Sequence, residues 1–179
     1  ERFHQAYQAW NAPQGGETVS LGERHWTLDS LLAHGAGADV YAGRRARWPT
    51  ELVLLKIARD EHGRARLENE WKALEQLNAR SPEAAQKFTA QIPQPVLHGA
   101  MDGGAFSGRW LSVFRRASGF KHTFAAVRQA YPQGIEPRAS IWVWRRMLEI
   151  LALLHQAGLA HGGLTPENLL VQTGEHGVR

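Results

Sequence analysis

The chain contains no cysteine among its 179 residues. That excludes a disulfide framework and any thiolate zinc site. It also lacks a long apolar run: no stretch approaches the ~18 residues needed to cross a bilayer, and nothing resembles a signal peptide. We therefore expect no membrane partner and a cytoplasmic location. Internal repeats and low-complexity tracts are absent. Nine histidines invite a metal reading, but no pair shows a zinc-binding spacing; His155 and His161, the nearest candidates, stand six apart. Acid is scarce in one place. From Arg109 to Arg146 there are eight Lys or Arg and a single acid, Glu136. A basic face there would suit phosphates or an acidic partner, but solvated arginines on a helix are the commoner cause. No nucleic-acid-binding motif appears, and no nucleic-acid partner is expected. What remains is a composition of 43% apolar and 21% charged residues with a net charge of +4, that of a globular chain able to bury a core.

Along the chain, residues 1–16 read as an aromatic-bearing extension (Phe3, Tyr7, Trp10) of a helical turn or two, ending in a flexible Pro13–Gly16 connection. Extended patterns follow at Thr18–Leu21 and His25–Leu28, joined by a hairpin loop at Gly22-Glu23-Arg24. Leu31-Leu32 leads into a glycine-rich turn, after which Val40-Tyr41-Ala42 resumes a strand. Beyond Trp48-Pro49-Thr50 comes Leu52–Ala58, apolar throughout except for Lys56. Residues 64–79 switch to helical spacing with Leu67, Trp71, Leu74 and Leu77 in register, and Pro82 closes that region. Two more extended runs, 92–97 and 110–114, flank a loop containing Gly99, Gly103, Gly104 and Gly108. A second helix starts near Pro137, a residue suited to a first helical position. It bears Ile141, Trp144, Leu148 and Leu151 on one stripe and Met147, Ile150 and Leu154 on another, which predicts burial on more than one side. Gly158 is its natural cap. Leu169–Val171 forms a short strand before a turn at Thr173-Gly174-Glu175. Trp71 and Trp144, on apolar stripes, are expected in the core rather than as stacking platforms.

A lysine inside an apolar strand is costly unless it is paired or meets a ligand charge. Glu70, four before Leu74 and seven before Leu77, lies in a register that can aim it at the strand. Such a pair fixes a lysine to grip phosphate oxygens. The alternative, a snorkelling Lys56 and a solvated Glu70, stays open on these residues alone.

Three segments in order resemble the protein kinase family. Ala33-His34-Gly35-Ala36-Gly37-Ala38-Asp39-Val40-Tyr41 is similar to its glycine-rich loop, and Val53-Leu54-Leu55-Lys56 to its Val-Ala-Ile-Lys strand. His161-Gly162-Gly163-Leu164-Thr165-Pro166-Glu167-Asn168 is similar to the catalytic loop His-Arg-Asp-Leu-Lys-Pro-Glu-Asn. Beyond that general architecture, the chain resembles bacterial kinase-like proteins. The resemblance implies an α+β fold: an antiparallel β-sheet small lobe with one helix over 17–116, then the first, mostly helical part of a large lobe over 117–179. It implies nucleotide contacts from Gly35, Gly37, Val40, Lys56 and Glu70, a magnesium ligand in Asn168, and ATP with Mg²⁺ as the cofactors.

The sequence also departs from that family. Of the three loop glycines only Gly35 is in register, with Ala33 and Ala38 at the other two places and Gly37 off register. The catalytic aspartate aligns with Gly163, the following lysine with Thr165, and the arginine with Gly162. His161 and Asn168 are retained, and no nearby acid is an obvious replacement. The metal-binding Asp-Phe-Gly segment would fall after Arg179. With a first residue other than methionine and an apolar helix stripe needing cover, this reads as part of a longer protein. Otherwise that helix is expected to be exposed or to self-associate. Three functions remain open: a pseudokinase that regulates or scaffolds with residual ATP binding and a protein partner; an active atypical Ser/Thr phosphotransferase; and an interaction domain with no ligand.

Overall fold

In a computed structural model of the chain, the described residues are 16–47, 50–103, 105–172 and 177–179. The 1–15 part of the extension, Trp48-Pro49, Gly104 and the turn at Thr173-Gly174-Glu175 lie outside them. The chain divides into two compact units, the first of residues 1–72 with 94–116 and the second of 73–93 with 117–179.

The first unit is built on a six-stranded antiparallel sheet in the order β1-β2-β3-β4-β6-β5. These strands are β1 (Thr18–Leu21), β2 (Arg24–His34), β3 (Ala38–Arg45), β4 (Leu52–Ala58), β5 (Gln94–Ala100) and β6 (Trp110–Arg115). Short loops join β1 to β2 and β2 to β3, as antiparallel neighbours allow; Gly22 supplies the positive φ of 58° in the first. The sheet curls until its edges meet. Asp102 N donates to Ser20 O at 3.1 Å, the Gly22 amide donates to the Asp102 carboxylate, and Leu21 lies over Gly99. Inside the curl sit Val19, Trp26, Leu28, Val53, Leu55, Ile57, Met101, Leu111 and Val113, all buried. Alternation explains the set: Val53, Leu55 and Ile57 share one face of β4, Leu111 and Val113 the matching face of β6. Lys56, between Leu55 and Ile57, therefore points to the other face.

Helix α1 (Glu61–Arg80) follows β4. Leu67 packs with Ala38 and Ala58, and Leu74 and Leu77 are also buried. Pro82, expected to end a helix, also opens a second short one, α2 (Pro82–Lys87), where its missing N–H costs nothing. Strand β2 runs on through Leu31 and Leu32 to His34. Both leucines are exposed, so burial gave no signal for this extension.

The second unit contains α3 (Phe124–Ala130), α4 (Pro137–Gln156) and a small sheet of β7 (His122–Thr123), β8 (Leu170–Gln172) and β9 (Gly177–Val178). Both helices are capped by side chains: Thr123 Oγ1 accepts from Ala126 N at 3.1 Å and Glu136 Oε2 from Ala139 N at 3.0 Å. Val143, Leu169 and Val178 form its core with Phe124, Trp142 and Met147. Gly158, at φ 72°, ends α4 as expected. The carbonyl of Ala157 there accepts from both Gln76 and Arg80 at 3.0 Å, which anchors the last turns of α1. Burial of α4 on both stripes is not found. Ile141, Trp144 and Leu148 are 60%, 60% and 55% exposed, which corrects the expectation that Trp144 is a core residue.

Candidate nucleotide site

Lys56 is not at a sheet edge. It pairs with Val40 on β3 and Ser112 on β6, in the middle of the sheet. On that face its ammonium has left most of its water, so a counter-charge is required. Glu70 supplies it: Lys56 Nζ donates to both carboxylate oxygens, at 2.6 and 2.8 Å. The pair is partly open, the side chains being 27% and 30% exposed. Phe114, buried on the same face, presents its ring 5.1 Å from Nζ and adds a cation–π contact. Two restraints thus aim the lysine while leaving it reachable. Two turns back on the same helix, Gly63 fixes how closely α1 approaches the strands.

The glycine-rich turn spans Gly35–Gly37 between β2 and β3. Gly35 N donates to Ala38 O at 2.9 Å, closing the turn. Gly37 is buried and its carbonyl accepts from Arg59 N at 3.0 Å, so the turn is tied to the end of β4. A Cβ on Gly63 would overlap the Gly37 carbonyl oxygen, so glycine is needed at both ends of this backbone contact. A charged clamp completes it. Arg59 donates to Gly35 O at 2.5 Å and to Asp39 Oδ1 at 2.8 Å. Asp39 also meets His34 Nδ1 at 2.9 Å and Arg109 at 3.9 Å. The hydrogen bond from His34, then those of the Arg59 guanidinium and its charge, hold the Asp39 carboxyl below its ordinary value against the opposing effect of burial.

The clamp was not anticipated from the sequence. Arg59, Asp39, Arg109 and Gly63 carry it. The one available signal was the Arg59-Asp60 step at the end of an apolar strand, with a glycine in the helical turn that follows. Beside Lys56 on the covered face, Trp71 is half-buried and stacks on His98, with ring centroids 4.1 Å apart. His98 in turn meets the edge of Trp110 at 5.6 Å.

In the second unit, residues 161–169 form an irregular loop between α4 and β8. Gly162 has φ 67°, a conformation that side chains avoid. His161 is exposed, and its Nδ1 accepts from Gly163 N at 3.3 Å. The Gly163 carbonyl accepts from Thr165 N at 3.0 Å and from Asn168 Nδ2 at 2.8 Å. Asn168 thus anchors the loop through its amide nitrogen and keeps its oxygen for another partner. Glu167 is spoken for. Its own backbone amide, then the Thr165 hydroxyl and the charge of Arg128 hold its carboxyl below the usual range, so it is a poor proton acceptor near neutrality.

Among the described residues no three His, Asp or Glu side chains converge as a metal site. Asn168 alone fits a magnesium ion only if phosphate oxygens and water complete the shell, which is how that ion commonly binds. No described helix is long and apolar enough to cross a membrane.

A curled antiparallel sheet with its inward-tied helix, followed by a helical unit with a small three-stranded sheet, defines a protein-kinase-like fold. Solved structures bear this out: 345 chains match, enough to place the architecture in a well-populated class. One, described as the crystal structure of BubR1 kinase domain, superposes with a TM-score of 0.66 at 14% identity. The match covers 90% of this chain and 45% of that one, so the chain spans less than half of its neighbour's length. At that identity the likeness shows the fold alone. No family model and no curated protein matches.

Proposed function

We propose that the chain is a kinase-like module that binds a nucleotide and works as a pseudokinase, regulating or scaffolding a protein partner rather than transferring phosphate efficiently. The observation that carries this reading is the bidentate Lys56–Glu70 pair, set in mid-sheet beside Val40 and the glycine-rich turn. A partner-only scaffold has no evident use for an ammonium held at that place. ATP and Mg²⁺ fit as ligands. Lys56 would take phosphate oxygens and the amide-rich turn at Gly35 and Gly37 would cover them; in the second unit, Asn168 keeps a side-chain oxygen that suits a magnesium ion. The group supplies the transferable phosphoryl; the chain's residues bind and orient.

What argues against efficient transfer is Gly163. It has no side chain to orient a hydroxyl or take its proton, and such a loss costs about 10²–10⁴ in rate. Glu167, the nearest acid in sequence, is engaged as a hydrogen-bonded carboxylate.

The test is a thermal titration with ATP and magnesium beside a Lys56→Ala variant. At about a hundred times its dissociation constant, ATP should stabilise by ~2.7 kcal/mol, a rise of several degrees in Tm. We expect the rise in the native chain, none in the variant, and no phosphate transfer to protein above background. Absence of any rise in the native chain would remove the nucleotide, and measurable transfer would make the protein an active atypical kinase.

A further inference from the structure

We propose a second ligand site at the open end of the curled sheet, one that takes a phosphate ester. The β1–β2 hairpin contributes Leu21, Glu23, Arg24 and His25, the last residue of β3 contributes Arg45, the bend after it Arg47, and β5 contributes Leu97, around an open concavity of about 850 Å³. Nothing in the nucleotide site assigns these residues a role.

Register shows why the charges converge. Arg45 is the cross-strand partner of Trp26, and Arg24 lies two residues before Trp26, so all three share the face that lines the inside of the curl. Trp26 is deep in the core; one step outward the same face ends in guanidinium groups. Leu21 and Leu97 pack against the core and form an apolar floor. Arg45 is half-buried there.

The decisive observation is the pairing of arginines in this unit. Arg44 meets Asp29 at 3.1 Å, Arg59 meets Asp39 at 2.8 Å, Arg64 meets Glu68 at 2.9 Å and Arg115 meets Glu51 at 2.9 Å. Arg24, Arg45 and Arg47, like exposed Arg116, have no side-chain partner among the described residues, and these three border the same concavity. A half-buried guanidinium on an inward face is costly without a counter-ion. Guanidinium forks match phosphate oxygens in pairs. Glu23 is the one carboxylate at the rim, exposed, and is outnumbered by three cations. The volume exceeds what a bare phosphate fills, and the leucine floor suits an apolar body on the ester. The ligand chemistry is a dianionic phosphate ester, from a free small molecule or from a phosphorylated side chain.

This site is remote from Lys56. Val40, opposite Lys56, and Arg45 are five residues apart on β3, about 17 Å.

The experiment is calorimetry on the whole chain with phenyl phosphate, inorganic phosphate and a phosphotyrosine peptide as probes. Phenyl phosphate should bind saturably, more tightly than inorganic phosphate, and more weakly as salt rises. Arg45→Gln should weaken it about tenfold, and Arg24→Gln/Arg45→Gln/Arg47→Gln should abolish it, while Lys56→Ala leaves it unchanged. A peptide that binds more tightly than phenyl phosphate identifies a phosphorylated side chain as the source; one that binds no better identifies a free ester. Unfolding curves for each variant separate lost binding from lost folding, and exposed Arg47→Gln serves alone if the triple variant unfolds. No saturable binding, or equal binding by a folded triple or Arg47→Gln variant, overturns the proposal.

Discussion

Two adjacent glycines in the 161–169 loop occupy their places for different physical reasons. Gly162 holds φ at 67°, where a Cβ strains the backbone, although no atom lies within 4 Å of where that Cβ would sit. Gly163 has no such φ, and its Cβ would meet only Asn168 Nδ2 at an ordinary 3.6 Å. Gly162→Ala should therefore cost about 1 kcal/mol in denaturant unfolding, while Gly163→Ala should stay within ~0.5 kcal/mol. Equal costs at both would refute the backbone account of Gly162. Folding then makes no demand for glycine at Gly163. The same residue-level reasoning shows what was legible in the site. For Lys56 and Glu70 the sequence posed the question, since a lone charge in an apolar strand needs a partner and Glu70 was in register, but it was the family resemblance that favoured the pair over a snorkelling lysine. Asp39, Arg59 and Gly63 could not, because a clamp made across a turn follows from close backbone approach rather than from periodicity.

At the level of elements, apolar patterning revealed those that bury a face on both flanks. Strand β4 was legible end to end because six of its seven residues are apolar, and β6 nearly so. Patterning failed where an element is exposed. The last residues of β2 carry Leu31 and Leu32 in the open, and short α2 was hidden behind a proline read only as a stop. Helix α4 shows the converse: Ile141, Trp144 and Leu148 fall at core-like spacing yet are exposed, the outcome expected of a stripe without cover, and only the placing of Trp144 in the core is overturned. Spacing reports that a face is apolar; it does not report what covers it. Two tryptophans separate the cases. Trp26, at 2% exposure inside the curl, should cost about 3–5 kcal/mol on replacement by alanine, and Trp144, at 60%, less than ~1 kcal/mol. Chemical denaturation of both variants checks this, and a large loss for Trp144→Ala would mean that its face is covered in solution.

Across the whole molecule, stability should be uneven, because the two sheets differ in how their strands are held. Strand β4 has seven residues, hydrogen-bonded partners on both sides, and three side chains (Val53, Leu55, Ile57) with no exposure at all. In the three-stranded sheet, β7 and β9 have two residues each and are its edges. Opening β4 breaks two ladders and the core inside the curl, whereas opening β7 breaks two registered pairs, His122–Val171 and Thr123–Leu170. Amides in β4 and the facing part of β6 should therefore exchange only on global unfolding, while those of β7 and β9 should exchange by local opening, at least tenfold faster. A tenfold gap corresponds to about 1.4 kcal/mol between the two opening free energies. Native-state hydrogen exchange read residue by residue measures it. Because Lys56 lies on the slow strand and is tied to Glu70 of α1, a nucleotide bound there should slow β4 and the turn at Gly35–Gly37 while leaving β7–β9 as they were. Equal protection in both sheets without ligand would instead mean that the chain opens as one cooperative body, with the short strands as firmly held as the long ones.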